Sequence, residues 1–313
     1  MQYRPKTQVN KLHTLTGHNH SIFALAEGVD PRFFYTGAGD GMVVEWDLDN
    51  PRDGKLIAKL PHSVYALEVD PERNWLFIGH NFEGVHVIDL NDQQELWSIK
   101  LTDRAIFDLQ VLGDRLFVAT GGGVVVVLDL ETRAVVRHIK ISDQSLRVFS
   151  LNRTKNHLAV GSSDNSVKVF DLQDWKPLAN LTGHTNSVFA LSYSPDGKDL
   201  VSGGRDAGLR VWDTDGYEQK QTIAAHMYAI NYIAFREDGK YMVSCSMDKS
   251  IKLWDAASFR LLKVIDKARH AGHGTSINKV LWSRYNQKVI AISDDRTISV
   301  WDIAILDDEN NTP

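Results

Sequence analysis

The sequence predicts an all-β fold, a seven-bladed β-propeller with four antiparallel strands in each blade. Three observations support this prediction: a repeat of 40 to 47 residues, a His and a Trp-Asp pair at constant spacing, and short β-rich runs separated by turns. A period of this length, built from short strands, is typical of propellers, in which each repeat forms one blade around a central channel.

The repeat is defined by a His that lies 28 residues before a Trp-Asp pair. This spacing occurs four times, from His18 to Trp46, His184 to Trp212, His226 to Trp254 and His273 to Trp301. The residue before the Asp recurs in seven places, with steps of 42, 40, 42, 42, 42 and 47 residues, at Trp46, Ile88, Leu128, Phe170, Trp212, Trp254 and Trp301. Because seven units fill nearly the whole chain, residues 1–306 are predicted to form a single domain.

The fifth repeat shows the four strands of a blade. β-rich runs at 187–193, 199–202, 209–212 and 219–223 are separated by turn signals at 195–197 and 205–208. Such spacing of short strands indicates a closed or layered β fold. The longest step, before the seventh repeat, predicts a longer loop around His270.

The two ends of the chain predict how the ring closes. The last Trp-Asp ends a third strand, while residues 9–15 precede the first Gly-His, where a fourth strand belongs. We therefore expect the N-terminal strand to complete blade seven and leave no free sheet edge. The acidic residues 307–313 are expected to form a disordered tail.

Through its Gly-His and Trp-Asp dipeptides, the chain resembles the WD-repeat family over residues 11–302. The resemblance implies a hydrogen-bonded set in each blade: the His, a Ser or Thr of the second strand, an Asp of the second turn and the Trp indole. The implied sets are His18, Thr36, Asp40 and Trp46 in blade one, His184, Ser202, Asp206 and Trp212 in blade five, and His226, Ser244, Asp248 and Trp254 in blade six.

Four blades depart from this pattern. Blade seven has His273, Asp295 and Trp301, but Ala291 occupies the position of the hydroxyl residue. Blades two, three and four replace the Trp by Ile88, Leu128 and Phe170, and we expect them to rely on apolar packing.

The resemblance also implies a binding face, formed by the Gly-His loops and the second turns around the channel mouth. Family members often contact partners at two positions of each blade. The first, five residues after the His, holds Phe23, Tyr65, Phe107, Arg147, Phe189, Asn231 and Asn278. The second, one residue before the turn Asp, includes Arg205, Met247 and Asp294. Whether the aromatic side chains form a surface or pack between inner strands is left open by the sequence.

The function predicted from these features is a non-enzymatic scaffold that binds a protein or peptide at the channel mouth, without a cofactor or metal. The Ser/His/Asp set recurs in three blades with a Trp each time, which indicates a structural role. Two alternatives remain: an enzyme with a polar site formed by Arg147, Arg205 and Asp294, and a nucleic-acid-binding propeller that stacks bases on the aromatic residues.

Composition bears on location and partners. The 313 residues include 35 Lys and Arg against 40 Asp and Glu, a net charge of −5 that argues against nucleic-acid binding. The single cysteine, Cys245, fits a reducing compartment, so we expect a cytoplasmic protein. No apolar run is long enough to span a membrane. We expect the protein to be a monomer by itself.

Overall fold

The computed structural model describes residues 6–306, which form seven four-stranded antiparallel sheets arranged as the blades of a propeller. The predicted acidic tail, residues 307–313, lies outside the described residues. Among the helices of the described part, none is long and apolar enough to cross a membrane.

The strands follow one another around the ring. The first strand of the described residues is β1 (Lys6–Thr16), and blade one contains β2 (Ile22–Glu27), β3 (Phe33–Ala38), β4 (Met42–Asp47) and β5 (Lys55–Lys59). Blades two and three contain β6 (Val64–Asp70), β7 (Trp75–His80), β8 (Gly84–Asp89), β9 (Gln94–Lys100), β10 (Ile106–Leu112), β11 (Arg115–Thr120), β12 (Val124–Asp129) and β13 (Ala134–Lys140).

Blades four and five contain β14 (Leu146–Asn152), β15 (His157–Ser162), β16 (Val167–Asp171), β17 (Pro177–Leu181), β18 (Val188–Tyr193), β19 (Asp199–Gly204), β20 (Gly208–Asp213) and β21 (Gln219–Ala224). Blades six and seven contain β22 (Ile230–Phe235), β23 (Tyr241–Ser246), β24 (Ile251–Asp255), β25 (Leu261–Ile265), β26 (Ile277–Trp282), β27 (Val289–Ser293) and β28 (Thr297–Leu306). The predicted fold class, with four antiparallel strands per blade, is confirmed.

The ring closes as predicted. Blade seven has the strand order β1-β28-β27-β26, and β1 pairs antiparallel with β28 from Lys6 opposite Leu306 to Thr16 opposite Thr297. The two ends of the described chain are thus held in one sheet, and the outer edge of β28 is covered by backbone hydrogen bonds.

The apolar core lies between neighbouring blades. The first strand of each blade contacts that of the next, and β26 contacts β2 across the closure. One core cluster joins Ile22, Phe34 and Trp46 of blade one to Ile290 and Ile298 of blade seven, and the other interfaces are built in the same way. Because each blade covers its neighbour, the first strands are held rigidly around the channel.

The expansion before blade seven differs from the predicted loop. It contains a one-turn helix, α1 (Lys267–His270), in which the Arg269 N–H donates to the carboxylate of the N-cap residue Asp266. The helix ends at Ala271 in the left-handed conformation, and Lys11 Nζ donates to the Ala271 carbonyl oxygen at 2.8 Å. Asx capping therefore converts part of the extra segment into helix.

Candidate binding site at the channel mouth

Blades one, five and six each contain the complete four-residue set, which we call the bracing network. In blade five, Trp212 Nε1 donates to Ser202 Oγ at 2.9 Å, and this oxygen lies 2.8 Å from His184 Nε2. His184 Nδ1 lies 2.9 Å from Asp206 Oδ2. The corresponding contacts join His18, Thr36, Asp40 and Trp46 in blade one and His226, Ser244, Asp248 and Trp254 in blade six.

Charge and burial determine the protonation states of His184 and Asp206 in the blade-five network, and hence which groups donate hydrogen bonds. Burial lowers the pKa of His184 despite the nearby Asp206, which favours the neutral ring. Burial opposes ionisation of Asp206, but its contacts with His184 and the Thr185 N–H lower its pKa overall. The indole N–H then donates to Ser202, the hydroxyl to His184 Nε2, and His184 Nδ1–H to the carboxylate. Because Ser202 is fully buried and both bonds are used, its hydroxyl is poorly placed to attack a substrate.

Blade seven contains a network that the sequence analysis missed. Ser299 Oγ lies 2.8 Å from His273 Nε2 and accepts from Trp301 Nε1 at 2.7 Å, while His273 Nδ1 lies 2.9 Å from Asp295 Oδ2. Ser299 stands directly opposite Ala291 in the β27–β28 ladder. The hydroxyl missing from the second strand is therefore supplied by the third. A search for Ser or Thr two residues before the Trp would have found it.

Blade four is not held by apolar packing alone, contrary to the expectation. Ser142, at the position of the His, donates to Asp164 Oδ2 at 2.7 Å, and Lys168 Nζ donates to the same oxygen at 2.5 Å. Although burial opposes it, hydrogen bonds from Lys168, Ser166 and Ser142 lower the pKa of Asp164 to about 2. A salt bridge thus replaces the His–Asp contact. In blade three, Leu128 is fully buried in an apolar cluster.

The seven residues at the first predicted position form what we call the channel-mouth ring. Each lies at a register shift between the first and second strands of its blade, and together they line one cavity of about 90 Å³: Phe23, Tyr65, Phe107, Arg147, Phe189, Asn231 and Asn278. A β-bulge redirects the side chain of the extra residue. The repeated bulge is therefore what brings these seven side chains to one opening.

The apolar side of the ring is closed by contacts among its own members. The ring centroids of Phe23 and Tyr65 are 4.8 Å apart, and those of Tyr65 and Phe107 are 5.8 Å apart. The Arg147 guanidinium lies 4.2 Å from the Phe107 centroid and 5.6 Å from that of Phe189. All five side chains are half-buried. The sequence left open whether these side chains form a surface or pack in the interior. In the structure they do both, since they line the mouth and pack against one another.

The polar side of the ring is tied to the backbone. Asn231 Nδ2 donates to the Ile277 carbonyl at 2.8 Å. Asn278 Nδ2 donates to the Ile22 carbonyl at 2.9 Å and to Asp294 Oδ1 at 2.7 Å. The bonds to the Ile277 and Ile22 carbonyls cross blade boundaries, whereas the bond to Asp294 lies within blade seven, and all three contribute to the rigidity of the mouth.

A group of strongly exposed apolar side chains on this face lies in blade six. Met227 is 81% exposed, Tyr228 62% and Met247 50%, and we call these three residues the blade-six patch. Met247 was singled out from the sequence, whereas Met227 and Tyr228 were missed. They directly follow His226, so their place in the Gly-His loop could have indicated them. Arg205, on the corresponding turn of blade five, is also exposed.

The channel interior holds charged residues that the sequence analysis did not identify. Glu68, Asp108, Tyr232 and Lys279 line a cavity of about 290 Å³ beneath the mouth. Burial, followed by the nearby Asp108 charge, raises the pKa of Glu68 to about 8, and burial also raises that of Asp108. Asp108 Oδ2 accepts from the Phe149 N–H at 2.7 Å, and Glu68 Oε1 accepts from the Val111 N–H at 3.3 Å. These carboxyl groups therefore fasten the first strand of one blade to that of the next.

Comparison with known families agrees with this architecture. A family model described as WD domain, G-beta repeat matches residues 9–47, 136–171, 175–213, 217–255 and 266–302, which make up more than half of the chain. A search of curated proteins finds no match. Each matched segment ends at the third strand of a blade, and the first four begin in or just before the last strand of the preceding sheet. The chain therefore belongs to the WD domain, G-beta repeat family.

Proposed function

We propose that this propeller is a non-enzymatic scaffold that binds a protein or peptide on the face around the channel mouth. Propellers of this family are commonly protein-interaction scaffolds. The observation that supports this face is the blade-six patch, whose three large apolar side chains are at least half exposed. Tyr and Met are enriched at protein interfaces, and adjustable Met side chains suit partner surfaces.

The backbone that presents the patch is held rigidly. The Met227 N–H donates to Asp248 Oδ2 at 3.1 Å, and the Met247 N–H donates to the Ala229 carbonyl at 3.0 Å. Ser246 Oγ donates to the Tyr228 carbonyl at 3.1 Å. The loop and the turn are thus joined, while their side chains extend into solvent. A preorganised backbone reduces the entropy that binding must overcome.

The neighbouring charges define the partner further. Exposed Arg205 lies on the blade-five turn, on the same face, and the channel-mouth ring adds the half-buried aromatic residues and Arg147. We expect a partner segment with apolar anchor residues for the patch and a carboxylate for Arg205, because Arg recognises carboxylates through paired hydrogen bonds. The proposal includes a cytoplasmic location and a monomeric propeller.

Affinity capture from a lysate of the source cells tests this proposal. A Met227→Ala/Tyr228→Ser/Met247→Ala variant should lose at least tenfold of the partner captured by the wild-type protein, as removal of interface anchors does. The matched control is Leu56→Ala/Val136→Ala/Leu178→Ala, which removes exposed apolar side chains from outer strands. Equal capture by both variants would contradict the proposed face. Melting curves verify that both remain folded.

A further inference from the structure

Blade two holds none of the bracing-network residues at their usual positions. Those positions are occupied by apolar side chains, namely Leu60, Ile78, Phe82 and Ile88. Beside them lies a different polar group, His80, Glu83 and His86, which we call the blade-two cluster. Within residues 6–306, no other set of three His, Cys, Asp or Glu residues brings its ligand atoms within 4.8 Å of one another.

The atoms of this cluster converge at the separation expected of metal ligands. His80 Nε2 lies 3.1 Å from His86 Nε2 and 3.6 Å from Glu83 Oε2. Two ligands bound tetrahedrally to zinc, each about 2.0–2.1 Å from the ion, are about 3.3 Å apart. The three side chains therefore stand in an arrangement that could accept an ion with small adjustments.

Glu95 orients one of the two imidazoles. His86 Nδ1 lies 3.1 Å from Glu95 Oε1. Because an ionised carboxylate only accepts hydrogen bonds, the neutral His86 ring carries its proton on Nδ1 and directs the Nε2 lone pair toward His80. Metal-ligating histidines commonly have this carboxylate partner on the nitrogen that does not bind the metal.

Hydrogen bonds within the protein do not explain why the His80 imidazole is buried. Its side chain is completely buried, yet its Nδ1 has no hydrogen-bond partner among the described residues. In the bracing networks of blades one, five and six, by contrast, both ring nitrogens of the His have a partner. The blade-two cluster is therefore a poor substitute for a bracing network, because it buries an imidazole with one nitrogen unpaired.

The turn that carries Glu83 also differs from its counterparts. In the other six blades the left-handed residue occupies the position equivalent to Glu83, namely Gly41, Gly123, Asn165, Ala207, Lys249 and Arg296. In blade two the left-handed residue is Phe82, one position earlier, with φ of 69°. This shift is local to the turn that places the Glu83 carboxylate beside His80.

We propose that His80, Glu83 and His86 form a binding site for a divalent transition-metal ion of the zinc type, with Glu95 positioning His86. Two imidazoles and one carboxylate suit such an ion better than Mg²⁺ or Ca²⁺, which prefer oxygen ligands. The Glu83 side chain is 46% exposed and that of His86 17%, so an ion can enter from solvent. Three protein ligands leave a fourth position for water.

Metal titration of the full chain tests the site. Chelator-treated protein should bind one equivalent of Zn²⁺ in competition with a chromophoric chelator, and Co²⁺ should give the visible absorption of a bound ion. Glu83→Gln and His86→Gln, both at partly exposed side chains, should each weaken Zn²⁺ binding at least tenfold. Glu95→Gln should weaken it by about 10–100-fold, as loss of an orienting carboxylate does.

His138→Gln is the matched control, because His138 is an exposed histidine on the outer strand of blade three. This variant should bind Zn²⁺ as the wild-type protein does. Zn²⁺ should also raise the melting temperature of the wild-type protein and not that of His86→Gln, since the ion binds only the folded site. The proposal is overturned if the wild-type protein binds no Zn²⁺, or if folded Glu83→Gln and His86→Gln bind it as tightly as His138→Gln.

Discussion

Blades five and two have the same four strands but different interiors. In blade five, Trp212, Ser202, His184 and Asp206 form an unbroken series of hydrogen bonds. In blade two, apolar residues fill these positions, yet the strand order and the bulge between the first two strands are the same. The network is therefore not required to form a blade. Apolar alternation and packing against the neighbouring blades are sufficient for the fold.

The same contrast explains which parts of the chain match the family model. The matches include the blades with a bracing network and blade four, but residues 48–135, which contain most of blades two and three, lie outside them. Blade four retains a polar contact through Asp164, whereas Leu128 of blade three is buried among apolar residues. The networks thus add local stability and a recognisable pattern to a fold that tolerates their absence.

The largest loss of stability is expected in blade seven, where the hydroxyl of the bracing network comes from the third strand and not the second. Ser299→Ala should lower the free energy of unfolding by about 2–4 kcal/mol, because it leaves Trp301 Nε1 and His273 Nε2 buried without their partner. Adding Ala291→Ser should recover part of this loss, since it restores a hydroxyl at the usual position. Urea unfolding measures both. An unchanged free energy of unfolding in Ser299→Ala would show that this hydroxyl does not support the blade, and no recovery in the double variant would show that a hydroxyl at position 291 cannot replace it.

A second prediction compares one substitution in two settings. Trp212→Phe should cost about 2 kcal/mol, because it removes an indole donor that Ser202 accepts. Trp97→Phe in blade two should cost about 1 kcal/mol or less, because the buried Trp97 Nε1 has no partner among the described residues. The difference in urea midpoints between the two variants is the measurement. Equal losses would mean that the network adds nothing beyond the packing of the ring.

The smallest expected effect is the change in the free energy of unfolding with pH. The histidines of the bracing networks and the carboxyl groups of the channel change it in opposite directions. Burial lowers the pKa of His184 and His226 below 6.5, so their contribution to stability is full at neutral pH and declines as pH falls below about 6.5. In the channel, the pKa of Glu68 is raised to about 8 and that of Asp108 is also raised. Their contribution is present at low pH and is lost as pH rises toward 8.

Replacing the channel carboxyl groups by amides should leave the pH dependence of stability that the bracing networks alone produce. In Glu68→Gln/Asp108→Asn, the amide oxygens can still accept the backbone N–H groups, so the strands stay joined. The free energy of unfolding of this variant should rise with pH between 5 and 8 more steeply than that of the wild-type protein. Identical pH profiles from urea unfolding would argue against the opposing contribution of the channel.

Several features followed from the sequence because they depend on local signals at constant spacing. The His-to-Trp distance identified the blades, and residues 9–15 predicted the closing strand, seen as β1 against β28. The same spacing pointed to the seven positions that meet at the channel mouth. A repeat places equivalent residues at equivalent positions around the ring, so one alignment locates all of them.

What only the tertiary structure decided depends on neighbours across strands and on exposure to solvent. Ser299 replaces the hydroxyl missing at Ala291 because the two residues face each other in the ladder, a relation that an alignment along the chain does not reveal. Met227 and Tyr228 extend into solvent because the loop after His226 is held against the turn at Met247. His80 and His86 meet because β7 and β8 pair, and Glu83 reaches them through a turn unlike the other six. Spacing along the chain determines which residues are equivalent, whereas pairing and burial determine which atoms meet.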